Sequence, residues 1–225
     1  MGRWGLALAV CLAVSSGSFL LALNYSSVAN VLFMQAAAPM LAALLGWALL
    51  RERVDGRTWL ALLLAGVGVA TMAIGSLEAG AAAVVLPLLV TASFAAVIVI
   101  ARYRREVSMM PATCASQVLV VVVCLPLVSL GSVDGHDWAI LAALGIGQMG
   151  VGLALLTIGA RLIPPAEVAL ISLIEIVLGP LWVWLAYDER PTTATLLGGL
   201  VVVAAVLIQT LGPSRPREAI ASHAG

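Results

Sequence analysis

W-A-L-L-R-E-R-V-D-G-R-T-W-L at Trp47–Leu60 and W-L-A-Y-D-E-R-P-T-T-A-T-L-L at Trp184–Leu197 carry the same punctuation 137 residues apart. Trp47, Glu52, Arg53 and Thr58 fall on Trp184, Glu189, Arg190 and Thr195. In each copy an apolar run closes on the Trp, Glu-Arg stands at its mouth, and a second apolar run follows the Thr. Working outward without a gap, residues 28–76 and 165–211 read as the same pair of helices. Eleven of the 41 positions from Ala29 to Val69 are identical to their partners. Most of these are Ala, Leu or Val, which match by chance in so apolar a chain, so the weight rests on Trp, Glu, Arg and Thr.

The chain is 63% hydrophobic and 10% charged. A water-soluble domain cannot cover itself with so little polar surface. The apolar runs instead have the length, about 20 residues, of a bilayer-spanning helix. Formal net charge is zero, which argues against nucleic acid as a partner. All eleven cations are Arg. Cys11, Cys114 and Cys124 are odd in number, lie within apolar runs and have no metal-ligand spacing; they read as small buried side chains.

Eight spans follow: residues 4–23, 28–50, 58–75, 81–101, 112–130, 138–160, 168–187 and 195–211. Backbone groups in lipid must be satisfied within the segment, so each is expected to be helical. The first stretch has a signal-peptide-like start, but its apolarity continues through Leu23, so it reads as a retained helix. Turn and breaker residues mark the connections at Asn24–Ser27, Asp55–Gly56, Ser132–Asp137 and Pro164–Pro165. The fold class is an all-α membrane protein, a multi-pass helical bundle with inverted repeats. Residues 1–76 form a first repeat of three helices, 77–211 a second of five, and 212–225 a disordered cytoplasmic tail.

Arginine sets the direction of the spans. Arg3, Arg51, Arg53, Arg57, Arg102, Arg104, Arg105, Arg161, Arg215 and Arg217 fall on one side of the eight-span arrangement and Arg190 alone on the other. Both termini are therefore expected in the cytoplasm, in the cell membrane. The two copies of the repeat then run in opposite directions, the sequence sign of a secondary transporter whose halves move about a central site.

A-L-N-Y-S-S-V-A-N-V at Ala22–Val31, the run ending W-A-L-L-R-E-R, and I-E-I-V-L-G-P-L-W-V-W-L at Ile174–Leu185 followed by D-E-R-P resemble the EamA-like family of the drug/metabolite transporter superfamily. The resemblance covers essentially the whole chain. It implies ten helices in two inverted five-helix repeats and export of amino acids, other small metabolites or toxic compounds. By that pattern the first two family helices are missing, and two further apolar segments are expected upstream of Met1. It also implies that spans one, two, four, six and seven line a central cavity. Where family members often carry Glu-Pro, this chain has Glu175-Ile176, and Pro180 is the residue left to kink that span.

Glu175 is the one carboxylate well inside a span, about 11 Å from its start at roughly 1.5 Å per residue. A charge near the bilayer centre costs about 2.5–3.5 kcal/mol, so such a group faces a cavity, finds a partner or is protonated. It is read as a proton-coupling or substrate-amine site, against the alternative of a neutral Glu bonding a neighbouring helix. Ser172, Glu175, Gly179 and Trp182 share a face at helical spacing, polar, small and aromatic as a cavity wall would be. Gln148 lies midway along the sixth span between Gly145 and Gly152, whose small size admits a ligand or another helix. Gln35, the repeat mate of Ser172, is a further cavity candidate; Asn30, Ser15 and Ser18 rank behind it. Gly145–Gly150 matches G-x-G-x-x-G but lies mid-span with no preceding strand, so it cannot cradle a phosphate.

No catalytic residue, metal or cofactor is expected. An intramembrane protease would need Ser and His within the spans, whereas His136 is in a loop and His223 in the tail. Metal-dependent head-group chemistry would need paired carboxylates in a span. The reading is therefore a transporter of small organic solutes working by alternating access, with a non-transporting membrane subunit as the alternative. Its partners are the lipid bilayer and a small-molecule solute, with a homodimer left open.

Overall fold

The computed structural model describes residues 2–51, 54–103, 109–125, 134–152, 155, 162, 165–188 and 190–210. Every regular element among them is helical: α1 Arg3–Ala22, α2 Val28–Ala36, α3 Ala38–Leu50, α4 Gly56–Gly75, α5 Ala81–Tyr103, α6 Met109–Cys124, α7 Gly135–Ala143, α8 Pro165–Tyr187 and α9 Thr193–Thr210. A short 3₁₀ turn, Leu77–Ala79, leads into α5. Five helical stretches among these residues are long and apolar enough to cross a membrane: Arg3–Ala22, Val28–Leu49, Gly56–Gly75, Ala81–Tyr103 and Thr193–Thr210. Pro111–Cys124 and Ile176–Tyr187 are shorter apolar stretches. The protein is thus an all-α multi-pass membrane protein. Glu52, Arg53, Glu189 and the tail lie outside the described residues.

The two copies of the repeated segment end and restart with the same chemistry. Arg51, which closes α3, and Asp188, which follows α8, are the two non-glycine residues of positive φ among those described, at 52° and 51°. They are repeat mates, although one is a cation and the other an anion. A left-handed residue stops a helix and lets the last carbonyls find partners. The restart is also shared. Asp55 Oδ1 accepts from the Thr58 backbone N–H at 2.9 Å, and Thr192 Oγ1 accepts from that of Thr195 at 3.2 Å. Each is an N-cap that satisfies a donor the first helical turn leaves over.

α4 and α9, which close the two copies, pack antiparallel at the centre. Arg57 donates from Nε to the Ile208 carbonyl at one end, Gly68 lies on Gly198 midway, and Gly75 lies on Ala194 at the other end. A Cβ on Gly68 would sit 2.6 Å from the Gly198 carbonyl oxygen, and one on Gly198 2.5 Å from that of Gly68. The buried stripes are in repeat register: Ala61, Ala65 and Gly68 on α4 match Gly198, Val202 and Ala205 on α9. Lipid offers apolar side chains no advantage in leaving it, so helices in a membrane associate through such close packing of small residues.

α2 lies against α9 and α8. Phe33 fills the space over Gly199, and Leu32 reaches Gly179. α5 packs on α1, α2 and α3. Leu8 and Ala9 of α1 meet Val97 of α5 and Ala112 of α6, while Ala38 and Ala42 of α3 meet Ala95 of α5.

These contacts place Arg3, Arg51, Arg57 and Arg102 at one end of the bundle. Aromatic rings stand with them: Trp4 meets Tyr103 edge-on at 6.1 Å, and Trp47 meets Trp59 at 5.2 Å. The Arg3 guanidinium lies 5.8 Å from the Trp4 ring centroid. Such rings suit the membrane–water boundary, where one edge is apolar and the other wet. The opposite end carries Ser26, Ser76, Glu78, Asp188 and Thr192.

Two elements differ from expectation. The span read as one helix over 28–50 is interrupted at Ala37, where a turn separates α2 from α3. Pro39 explains it, because proline has no N–H and its ring crowds the carbonyl four residues back. The Ala37 N–H bonds the Met34 carbonyl and the Met40 N–H that of Ala37, both tight three-residue links. The sixth span starts three residues early, at Gly135, because Asp134 and Asp137 form a reciprocal capping box. It then widens into π-type turns over Leu144–Gly152, a segment with four glycines and so little side-chain restraint. Pro180 sits buried within α8 without ending it.

Candidate functional site

The interior polar groups fall along α2 and the helices around it. Ser27 caps α2, its Oγ accepting from the Asn30 backbone N–H at 3.2 Å. One turn in, the Asn30 amide donates to Ser26 Oγ at 2.8 Å and, across to the end of α4, to Ser76 Oγ at 3.1 Å. Asn30 is 1% exposed. Gln35 follows, half-buried, two residues before the turn at Ala37. The sequence therefore delivers a capped, amide-bearing helix that breaks in mid-membrane, and proline is the reason.

α8 passes α2 in the opposite direction. The connection after Tyr187 is short and brings α9 in beside Gly75, so α8 ends where α2 begins. With Leu32 on Gly179, an antiparallel register sets Gln35 level with positions 175 and 176 of α8. The break in α2 and the intramembrane carboxylate position thus occupy neighbouring levels of two helices in contact. For Ser172, Glu175 and Gln148 the structure describes the backbone, and their side chains lie outside the described residues. Ile176 packs against the core around Met34, Met72 and Val202, and Gly179 faces Leu32, so this side of α8 is turned to protein. Trp182 is 64% exposed, away from that contact.

The sixth span is placed differently from its expected neighbours. Residues 134–147 are exposed, and a Cβ on Gly145 or Gly147 would meet nothing within 4 Å. Gly152 approaches only the Gly147 carbonyl of its own segment, at 3.6 Å. Gly145 and Gly152 are read from the sequence as admitting a ligand or another helix beside Gln148, and among the described residues no other helix comes within 4 Å of a Cβ at Gly145.

A second polar seam runs between α1 and α5. Ser15 Oγ donates to the Val90 carbonyl at 3.5 Å, crossing from one helix to the other. Pro87 in α5 has no N–H to give. Thr91 Oγ1 donates to the Pro87 carbonyl at 2.9 Å and Ser93 Oγ to that of Leu89 at 2.6 Å, the local bonding typical of hydroxyls within apolar helices. Among the described residues no group of His, Cys, Asp and Glu could hold a metal ion.

The sequence placed Asn30 behind Gln35 among the cavity candidates. Its link to Ser76, 46 residues on, becomes visible only once α2 and α4 are packed. The repeat offered one signal, since the mate of Asn30 is Glu167, another oxygen-bearing side chain.

A family model described as the EamA-like transporter family matches residues 2–74 and 81–211. The chain belongs to the EamA-like transporter family. It is on that ground a membrane protein of a family of small-solute transporters. A search of curated proteins found no match. The interruption in the family match falls on the connection between α4 and α5.

Proposed function

We propose that this EamA-like protein exports small organic solutes, amino acids among them, across the cell membrane by alternating access, with both termini in the cytoplasm. The observation that carries the reading is the family match over nearly the whole chain. Two further features support it. The shared caps and buried stripes of the two copies supply a pair of elements that can exchange conformations. The turn at Ala37 puts non-helical backbone in mid-membrane, which is tolerated where protein or a water-filled cavity surrounds it.

Glu175 serves as the coupling carboxylate in this proposal. In it the carboxyl carries the proton that solute binding displaces. Gln35, Ser172, Gln148 and Trp182 are assigned to the solute path. The test is flux in proteoliposomes. Wild-type protein should drive pH-dependent counterflow of amino acids, and Glu175→Gln should remove the pH dependence while inserting normally. PH-dependent flux that survives in Glu175→Gln reduces the residue to a packing role. Direction is tested separately: cysteine at Ser26 should react with an impermeant thiol reagent in intact cells, and cysteine at Arg104 should not.

A further inference from the structure

α1 turns one side to the bilayer. Arg3, Leu6, Val10 and Val14 follow one another at helical spacing, and all four are exposed. Leu8 and Ser15 point elsewhere, into the contacts with Val97 and Val90 of α5. From Arg3 to Val14 the stripe is about 16 Å long at roughly 1.5 Å per residue, the depth of one leaflet. An apolar stripe left open in a bilayer is met by acyl chains, so the question is which headgroup sits above it.

The head of the stripe is a cation among rings. Arg3 lies against Trp4, and Trp4 meets Tyr103 at the end of α5, itself exposed. A guanidinium presents a planar fork of N–H donors that matches a phosphate bidentately, and indole and phenol rings settle at headgroup level.

Charge selects the lipid. Helix dipoles do not decide the sign, because α1 begins at this corner and α5 ends at it. Side chains do. Arg102 lies in the last turn of α5, and the sequence continues Arg104-Arg105-Glu106, so Arg3 and this stretch set four arginines against one carboxylate. The one ion pair among the described residues, Arg190 with Asp188, is at the far end of the bundle. The other arginine cluster, Arg51 to Arg57, differs on two counts. Glu52 and Asp55 are interspersed in it, and Arg57 donates to the Ile208 carbonyl.

We propose that the seam of α1 and α5 at the arginine end holds an anionic phospholipid, its phosphate on the Arg3 guanidinium beside Trp4 and Tyr103 and an acyl chain along Leu6, Val10 and Val14. The lipid is a partner of the scaffold and is independent of any solute the protein carries.

A photo-reactive benzoylphenylalanine replaces Val10 in the full chain, which is placed in nanodiscs of phosphatidylcholine with a minor share of phosphatidylglycerol. After illumination the captured lipid is identified by mass spectrometry. Phosphatidylglycerol should exceed its bulk share by about fivefold, the weight of one arginine near an anionic surface. Arg3→Gln should return capture to the bulk ratio, and Arg3→Lys, which keeps the charge, should retain part of the excess and so exclude a folding defect as the cause. The same probe at Leu63, exposed and as far into α4 as Val10 is into α1, should report the bulk ratio. A bulk ratio at Val10, or an excess that survives Arg3→Gln, overturns the proposal. Equal excess at Leu63 overturns it as well, leaving only a general attraction to the arginine end. Capture of protein in place of lipid shows the stripe to be covered by another helix, and loss of the excess on adding soluble glycerol phosphate shows a site for free phosphate; either result removes the lipid site.

Discussion

α2–α3 and α8 are the same segment used twice, and they differ where it matters. Both end in a left-handed residue, both are followed by an oxygen-capped helix, and both pack an equivalent partner. In their middles they part: the first copy has Ala38-Pro39 and breaks at Ala37, and the second has Glu175-Ile176 and runs unbroken from Pro165 to Tyr187. One copy supplies a turn without charge, the other a carboxylate on a continuous helix. Repetition has fixed the ends, which decide how each segment sits in the bilayer, and left the middles free to diverge.

The largest effect is expected where the copies meet. Gly68→Leu or Gly198→Leu drives a side chain into the partner's backbone, for which no rotamer change gives relief. Either should leave little folded protein by size-exclusion chromatography. The milder Gly68→Ala should destabilise by about 1–3 kcal/mol, as overpacking does, while Ala205→Gly at its mate should be tolerated far better. Equal behaviour of the two would mean that α4 and α9 do not touch at this register.

Exchanging the middles comes next. Pro39→Ala restores a backbone donor and should join α2 to α3, with a gain of up to about 3 kcal/mol and slower flux. Distances between spin labels at positions 28 and 49 would report the straightening. Ile176→Pro imposes a break on α8 and should cost a similar amount in thermal unfolding. Faster flux in Pro39→Ala would show that the turn is no part of the transport cycle.

Smaller changes are expected at the caps. Asp55→Ala and Thr192→Ala should each lose about 0.5–2 kcal/mol, Asp55 the more because Asp is the stronger cap. The smallest concern the left-handed residues. Arg51→Gly should gain on the order of 1 kcal/mol, the strain a side chain suffers there, and Asp188→Gly less, since Asp tolerates that conformation. Both are readable as shifts in melting temperature. A loss at Arg51 would place its side chain in a contact that outweighs the strain.

Helix ends were legible in the sequence because they are chemically marked. Trp, Glu-Arg, an oxygen-bearing cap and Thr recur at fixed spacing, and the structure ends and restarts helices there. The matched left-handed residues were not legible, because Arg51 and Asp188 share no side-chain chemistry; what they share is a backbone angle. The interruption at Ala37 was signalled by Pro39 and overlooked because apolarity continues through it. Hydropathy reports burial in lipid, not hydrogen bonding. The widened turns at 144–152 were hidden for a related reason, since glycine leaves the apolar average intact while loosening the backbone. Of the candidate site, Gln35 was placed by its repeat position, whereas Asn30 depends on a contact between distant segments that no local pattern records.

The backbone contact between Gly68 and Gly198 also fixes an order in time. α4 is synthesised some 137 residues before the helix that covers its groove. At about 5–20 residues per second, the ribosome leaves that groove open for roughly 7–30 seconds. Through that interval α4 stands in the bilayer with its small-residue face against lipid or a provisional neighbour. Assembly of the centre therefore waits for the C-terminal helix, and a chain halted before α9 would present its barest surface to whatever machinery inspects unfinished membrane proteins.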